Sequence, residues 1–197
     1  EVARPDFEFV SIAIDPGGAD DARPFVEVAG ATFPALVDSA GRSSAALGFK
    51  VVPNGIFVDR DGSIRYRKDG GFSNEKEADR DAVRRFARGE DPGPSPEPRP
   101  LAYILGSLES RLVETKMELG RVLHSAGRRD EALAHWREAL YLDPDNLTIR
   151  KAIWALRFPE RFHPTIDWDW QWEQLPRERA EEIAAGVCGP DGCPLPV

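Results

Sequence analysis

Residues 47–64, with the sequence LGFKVVPNGIFVDRDGSI, carry the local signals that decide the fold of the first part of the chain. Strand-like runs at 55–59 and 63–67 flank Asp61-Gly62, a pair that favours a tight hairpin turn because glycine adopts a positive φ easily. Pro53 stands directly before the first run, where a residue without an N–H is tolerated at the start of a strand. These residues predict a β-hairpin preceded by a proline loop.

The segments around this hairpin alternate between strand and helix patterns. Short apolar runs rich in β-branched residues predict strands, and apolar residues spaced three or four apart predict helices. The pattern predicts a buried strand at 7–15, a helix at 20–29, an extended segment at 33–38, a brief helix at 43–47 and a closing helix at 74–88.

A proline-rich segment, residues 90–100, separates this α/β region from a helical one. Each proline lacks an N–H and fixes φ, so the segment cannot continue a helix and is expected to act as a semi-rigid spacer. Helical patterns follow at 101–126, 128–142 and 147–156. We predict an α/β domain at 1–89, a linker at 90–100, an all-α domain at 101–158 and a C-terminal tail at 159–197.

The composition excludes several classes of partner. The chain has 26 Lys and Arg against 34 Asp and Glu, a net charge of −8 that would repel nucleic acid phosphates. No apolar run approaches the roughly 18 residues of a membrane span, so membrane insertion is not expected.

His124 and His135 are not spaced as a metal pair, and Asp59-Arg60-Asp61-Gly62 lacks the later acidic ligands of a calcium loop. We predict no metal site and no cofactor.

Two motifs in order, residues 32–38 with the sequence TFPALVD and residues 47–64, resemble the thioredoxin-like family of the TlpA and ResA type, a redoxin group related to AhpC/TSA. The resemblance covers residues 7–88 and implies a partial thioredoxin-like α/β domain. It implies that Pro53 follows a cis peptide bond and that the backbone of Val52 pairs with an extended substrate segment. Val52 and Pro53 are therefore the expected substrate-binding residues.

The resemblance implies a thiol–disulfide oxidoreductase acting on protein thiols, with its CxxC segment expected before Glu1. Whether the chain belongs to an enzyme depends on that dithiol, because exchange requires an attacking thiolate. One alternative is a redox-inactive protein-binding scaffold. Another is a peroxiredoxin-like peroxide reductase, although that group usually has an arginine near residues 52–54. The family resemblance allows an extracytoplasmic location, and the sequence leaves the compartment and oligomeric state open.

The helical region resembles one tetratricopeptide (TPR) repeat, a motif with a 34-residue period. Small side chains would let two helices approach closely while a tryptophan fills the space between them. One repeat cannot bury both its faces, so residues 101–111 and 147–156 are expected to cover it. An unrelated helical hairpin is the alternative, and a protein is the expected partner. The residues at TPR packing offsets are Leu119, Gly120, Ala132, Trp136, Ala139 and Pro144.

The tail carries three tryptophans at alternate positions, Trp168, Trp170 and Trp172. In an extended segment all three would lie on one side of the chain. One interpretation is that they clamp the tail onto the core, because buried aromatic side chains dominate packing. The other is an exposed face that binds a partner.

Cys188 and Cys193 are separated by four residues rich in turn formers. A disulfide that closes a small loop is the first interpretation, because joining two nearby thiols costs little loop-closure entropy. A redox-active or resolving pair of auxiliary thiols is the second. A zinc site is the third and least favoured interpretation. Zinc usually needs four ligands, and only His163 lies near the two cysteines in sequence.

Overall fold

The computed structural model describes residues 7–39, 41–98 and 104–186. Within them, seven α-helices and two small sheets give mixed α/β content. In chain order the elements are β1 (Ser11–Ala13), α1 (Ala19–Val28), β2 (Ala35–Val37), α2 (Arg42–Leu47), β3 (Asn54–Val58), β4 (Ile64–Asp69), α3 (Glu77–Ala87), α4 (Ser107–Ser125), α5 (Arg129–Leu142), α6 (Leu147–Arg157), a 3-10 turn (Pro159–Arg161) and α7 (Trp168–Ala184).

The described residues group into two compact units. The hairpin unit contains residues 7–10 and 51–98, and the helical unit contains residues 11–39, 41–50 and 104–186. Residues 11–50 thus group with the helices, whereas the sequence predicts one domain over residues 1–89. The predicted domain limits remain a prediction.

The strands form one parallel and one antiparallel pair. β1 and β2 are parallel, with Ile12 opposite Leu36. β3 and β4 are antiparallel around a turn in which Gly62 has a φ of 85° and the Asp59 N–H donates to the Ser63 carbonyl at 2.8 Å. The predicted hairpin is confirmed.

The buried strand predicted over residues 7–15 is wrong in length and in burial. Only Ser11–Ala13 is a strand, and the residues from 7 to 15 are exposed or half-buried. Ile12, at the centre of β1, is 49% exposed. The physical reason is that β1 pairs with a single three-residue strand, and so small a sheet covers little apolar surface.

Stacked aromatic rings form the core of the hairpin unit. Phe57 of β3 lies 4.9 Å from Tyr66 of β4, 5.4 Å from Phe72 and 4.8 Å from Phe86 of α3, measured between ring centroids. Ala82 of α3 is also buried there. The cluster packs α3 onto one face of the hairpin.

The core of the helical unit lies between α4, α5 and α6. The short connection at residues 126–128 returns the chain, so that α4 and α5 pack against each other. Gly120 of α4 faces Trp136 of α5, and a Cβ at position 120 would overlap the indole ring. The Trp136 Nε1–H donates to the Met117 carbonyl at 3.2 Å, so the buried indole keeps a hydrogen bond.

Five of the six residues predicted to pack at this helix pair are buried. Ala132 and Ala139 are 0% exposed, Trp136 is 1% exposed, and Gly120 and Pro144 are buried. The prediction for Leu119 is wrong, because that side chain is 40% exposed and lies outside the buried cluster. Successive helical residues point about 100° apart, so Gly120 facing α5 turns Leu119 away from it.

The tryptophan segment of the tail lies in helix α7, Trp168–Ala184, and is not extended. The Asp167 side chain caps it by accepting from the Trp170 N–H at 3.0 Å. Residues two apart on a helix point in nearly opposite directions. Trp170 accordingly packs edge-on against Trp154, at 5.5 Å between ring centroids, while Trp168 is 47% exposed and Trp172 is 67% exposed.

A buried arginine joins α7 to α6. Arg150 is 1% exposed, and its Nη1 donates to Glu178 and Glu182 of α7 at 2.8 Å each. Its Nη2 donates to the Pro144 carbonyl at 3.2 Å. The Trp154 Nε1–H also donates to Glu178 at 3.0 Å. This Arg150 clamp was not predicted, although Glu178 and Glu182 have the i, i+4 spacing that places two carboxylates on one helix face.

None of the helices in the part of the chain that the structure describes is both long and apolar enough to cross a membrane.

We expect Gly120→Ala to destabilise the helical unit by about 1 to 3 kcal/mol, because the added methyl group overpacks the Trp136 contact. In an unobstructed helix the same change would stabilise by about 0.5 to 1 kcal/mol. Urea unfolding followed by circular dichroism measures the difference. Glu114→Ala, exposed on α4, is the matched control and should change stability by less than about 0.5 kcal/mol. A stabilised Gly120→Ala variant would contradict the close contact.

We expect Arg150→Met to destabilise the protein by about 3 kcal/mol, because it leaves the Glu178 and Glu182 carboxylates adjacent without their cation. Thermal unfolding and the tryptophan emission maximum should both shift, since Trp154 and Trp170 lie at this junction. Arg137→Ala, exposed on α5, is the control and should leave both unchanged. Unaltered stability in Arg150→Met would show that the clamp does not hold α7.

Candidate functional site

The Pro53 loop, residues 51–54, joins the preceding segment to β3 in the hairpin unit. The Val52–Pro53 peptide bond is cis, which confirms the geometry that the family resemblance predicts. Pro53 is exposed and Val52 is half-buried. The two predicted substrate-binding residues therefore lie on an accessible loop at the start of a strand.

Asn54 holds this loop against the end of the hairpin. Its Nδ2 donates to the Val51 carbonyl, and its Oδ1 accepts from the Gly70 N–H at 3.3 Å. One side chain thus ties the residue before Val52 to the residue that follows β4. The sequence analysis did not predict this role, although asparagine often hydrogen-bonds nearby backbone in turns.

Two glycines allow close packing behind the loop. A Cβ at Gly71 would lie 3.1 Å from Cγ of Pro53, so the proline ring rests directly against backbone. A Cβ at Gly55 would overlap the ring of Phe72. Larger residues at positions 55 or 71 would push Phe72 or Pro53 outward, so the loop position depends on these small residues.

The ion pair of Lys68 and Asp79 lies next to Phe72. Lys68 of β4 donates to Asp79 of α3 at 2.5 Å, and the Lys68 Nζ lies 5.1 Å from the centroid of the Phe72 ring. The Asp79 carboxylate also accepts from the Ser73 N–H at 2.8 Å. Asp79 is 6% exposed. The lysine hydrogen bond, followed by the Ser73 N–H, lowers the pKa of Asp79 below its ordinary value. Through these contacts with Phe72 and Ser73, the pair holds the 70–73 segment, which packs against Pro53 at Gly71.

The backbone of Val52 has no hydrogen-bond partner among the described residues. Among the hydrogen bonds of residues 7–39, 41–98 and 104–186, none uses the N–H or the carbonyl of Val52. An extended peptide can pair with free backbone groups of this kind, as in strand addition. The loop itself, residues 51–54, carries no thiol.

The other predicted site residues lie elsewhere. Cys188 and Cys193 are outside the described residues. The TPR positions belong to the helical unit and are described above. No group of three or more His, Cys, Asp or Glu side chains in the described ranges is arranged to hold a metal ion.

Comparison of the chain with protein-family models, curated proteins and solved structures gave no match.

We expect Asp79→Asn to destabilise the hairpin unit by about 3 kcal/mol at neutral pH, because it leaves the Lys68 ammonium buried without its partner charge. The pKa of Asp79 is lowered in the folded state, so its stabilising effect is present above the unfolded-state pKa and is lost as pH falls through the folded-state pKa. The stability difference between the wild type and the variant should therefore shrink below about pH 4.

Urea unfolding at several pH values measures this difference. Asp81→Asn, an exposed change on the same helix, is the control and should change stability by less than about 0.5 kcal/mol at neutral pH. A constant difference down to the acid limit would disprove the assigned role of the Asp79 charge.

Proposed function

We propose that this chain is part of a thioredoxin-like thiol–disulfide oxidoreductase that acts on protein thiols, with a TPR-like helical region that binds protein. The observation that carries the proposal is the Pro53 loop, in which Pro53 is exposed and the backbone of the half-buried Val52 has no hydrogen-bond partner among the described residues. A redox protein needs a surface of this kind to keep an extended substrate close to its dithiol.

The order of the elements supports the thioredoxin-like assignment. A parallel pair, β1 and β2, contains α1 in its crossover, and the Pro53 loop then leads into the antiparallel hairpin and α3. This β-α-β then β-β-α succession is the order that the resemblance implies for residues 7–88. The aromatic cluster around Phe57 packs α3 on the hairpin.

The proposed chemistry needs a dithiol brought to the loop. One thiolate attacks a substrate disulfide sulfur, one substrate thiol leaves, and the second thiol of the pair then resolves the mixed disulfide. The enzyme dithiol becomes oxidised as the substrate disulfide becomes reduced. We place this dithiol in a CxxC segment before Glu1, and we assign Cys188 and Cys193 an auxiliary role.

The packing of the helical unit is the argument for a protein partner. Gly120, Ala132, Trp136 and Ala139 occupy TPR packing offsets, and all four are buried in the helical unit. Pairs of helices packed in this way form the binding surfaces of TPR proteins. We propose that this region recruits or orients the protein substrate.

A redox-inactive scaffold is the second candidate. It is favoured by the position of both cysteines, which lie at 188 and 193 and therefore far along the chain from the Pro53 loop. In this case the loop would bind an extended polypeptide without exchanging disulfides.

The test is insulin disulfide reduction by the full-length protein with dithiothreitol as the electron donor. We expect catalysed turnover, and we expect Pro53→Ala to lower it by about 10- to 100-fold, because small displacements at a reacting site are costly. Pro34→Ala, an exposed proline directly before β2, is the matched control and should keep full activity. Circular dichroism confirms that each variant is folded.

A Cys188→Ser/Cys193→Ser variant separates the possible sources of the dithiol. Retained turnover supports a dithiol before Glu1, whereas lost turnover would assign the reaction to the tail pair and overturn our placement. Absent turnover combined with Pro53-dependent binding of unfolded insulin would establish the scaffold instead. Rapid consumption of hydrogen peroxide through one reactive cysteine would favour a peroxiredoxin-like enzyme over both.

A further inference from the structure

Helix α4 carries a second apolar face that remains exposed. Its buried face, with Val113, Gly120 and Leu123, points into the helical unit. A separate line of apolar side chains runs along α4 and the residues just before it. The α4 seam comprises Ile104, Leu108, Leu112, Leu119 and Val122, which are 88%, 74%, 44%, 40% and 48% exposed.

The part of the α4 seam that lies within the helix follows the spacing of a coiled coil. Positions 108, 112, 115, 119 and 122 follow one another at alternating steps of four and three residues, which is the spacing of the a and d positions of a heptad repeat. Thr115 is the one polar residue among these five positions, and its hydroxyl donates to the Arg111 carbonyl at 2.7 Å. That hydroxyl is satisfied within its own helix and does not oppose burial of the seam.

The charged residues on either side of the α4 seam favour an antiparallel second copy of α4 as its partner. Glu109 and Lys116 flank one side, and Arg111 and Glu118 flank the other. If a second α4 lies antiparallel, with Leu112 opposite Thr115 of the other copy, Glu109 faces Lys116 and Arg111 faces Glu118 across the seam. A parallel pair would instead bring Arg111 next to Lys116. Opposite charges at these flanking positions set partner choice and orientation in coiled coils.

The flanking charges also have partners within the chain. Lys116 forms an ion pair with Glu138, and Glu118 accepts from Arg121 at 2.6 Å. An ammonium group has three N–H donors and a carboxylate can accept several hydrogen bonds, so each can add a contact across the seam. These pairs also restrain both side chains beside the seam before association.

We propose that the occupant of the α4 seam is the α4 seam of a second copy of this chain, in an antiparallel two-fold dimer. The same patch then serves both copies, and the contact closes on itself without forming a filament. This dimer goes beyond the proposed redox function and does not depend on it. It is supported by a line of exposed apolar side chains on one helix face, since exposed apolar patches mark interaction sites.

The first test is the mass of the full-length protein by sedimentation equilibrium. We expect twice the mass of one full-length copy, to which residues 1–197 contribute 21.9 kDa. Leu112→Glu lies next to the proposed two-fold axis and should give a folded monomer, as judged by circular dichroism. Val28→Glu replaces another exposed apolar residue, 89% exposed on α1, and should remain dimeric. A monomeric wild type, or a Leu112→Glu variant that stays dimeric, would overturn the proposal.

The second test fixes the orientation in a Cys188→Ser/Cys193→Ser background. Leu108 lies opposite Leu119 of the other copy in the antiparallel register, so a mixture of Leu108→Cys and Leu119→Cys chains should form a disulfide on mild oxidation. Leu108→Cys alone should not, because the two thiols would be about 16 Å apart along the axis at 1.5 Å per residue. Crosslinking of Leu108→Cys with itself would indicate a parallel pair and contradict our assignment, and so would a failure of the mixture to crosslink.

Discussion

The helical unit depends on the close contact of Gly120 with the Trp136 indole. A glycine is needed there because a Cβ would occupy the space of the ring. The contact brings α4 and α5 together and lets the indole donate to the Met117 carbonyl. It also sets the rotation of α4 about its own axis, and this rotation leaves Leu112 and Leu119 exposed. The packing of one helix pair thus determines the surface that we assign to a second copy.

The hairpin unit follows the same logic on a smaller scale. The Pro53 loop of this unit is positioned by residues that pack against it and against each other. Gly71 contacts Pro53, and Lys68 lies over the Phe72 ring. The Lys68–Asp79 pair is buried, so its charges interact strongly and removing one partner is costly. The residues proposed to contact substrate therefore depend on residues that never touch it, as preorganised binding sites generally do.

Helix α7 shows how a polar cluster can replace apolar packing. It uses Arg150 with Glu178 and Glu182, together with an edge-on contact of Trp170 with Trp154. Buried ion pairs contribute little net stability compared with apolar side chains, but they require a defined partner geometry. In this protein that geometry aligns α7 on α6 and leaves Trp168 and Trp172 at the surface.

The sequence by itself determined the features that depend on neighbouring residues. The hairpin turn follows from Asp61-Gly62, and the helix limits of α5 and α6 follow from local spacing, since backbone dihedral preferences act over a few residues. The tertiary structure alone decided the pairing of Lys68 with Asp79, which are 11 positions apart, and of Arg150 with Glu178, which are 28 apart. It also decided which apolar side of α4 is buried, because both sides have helical spacing and only the position of α5 distinguishes them.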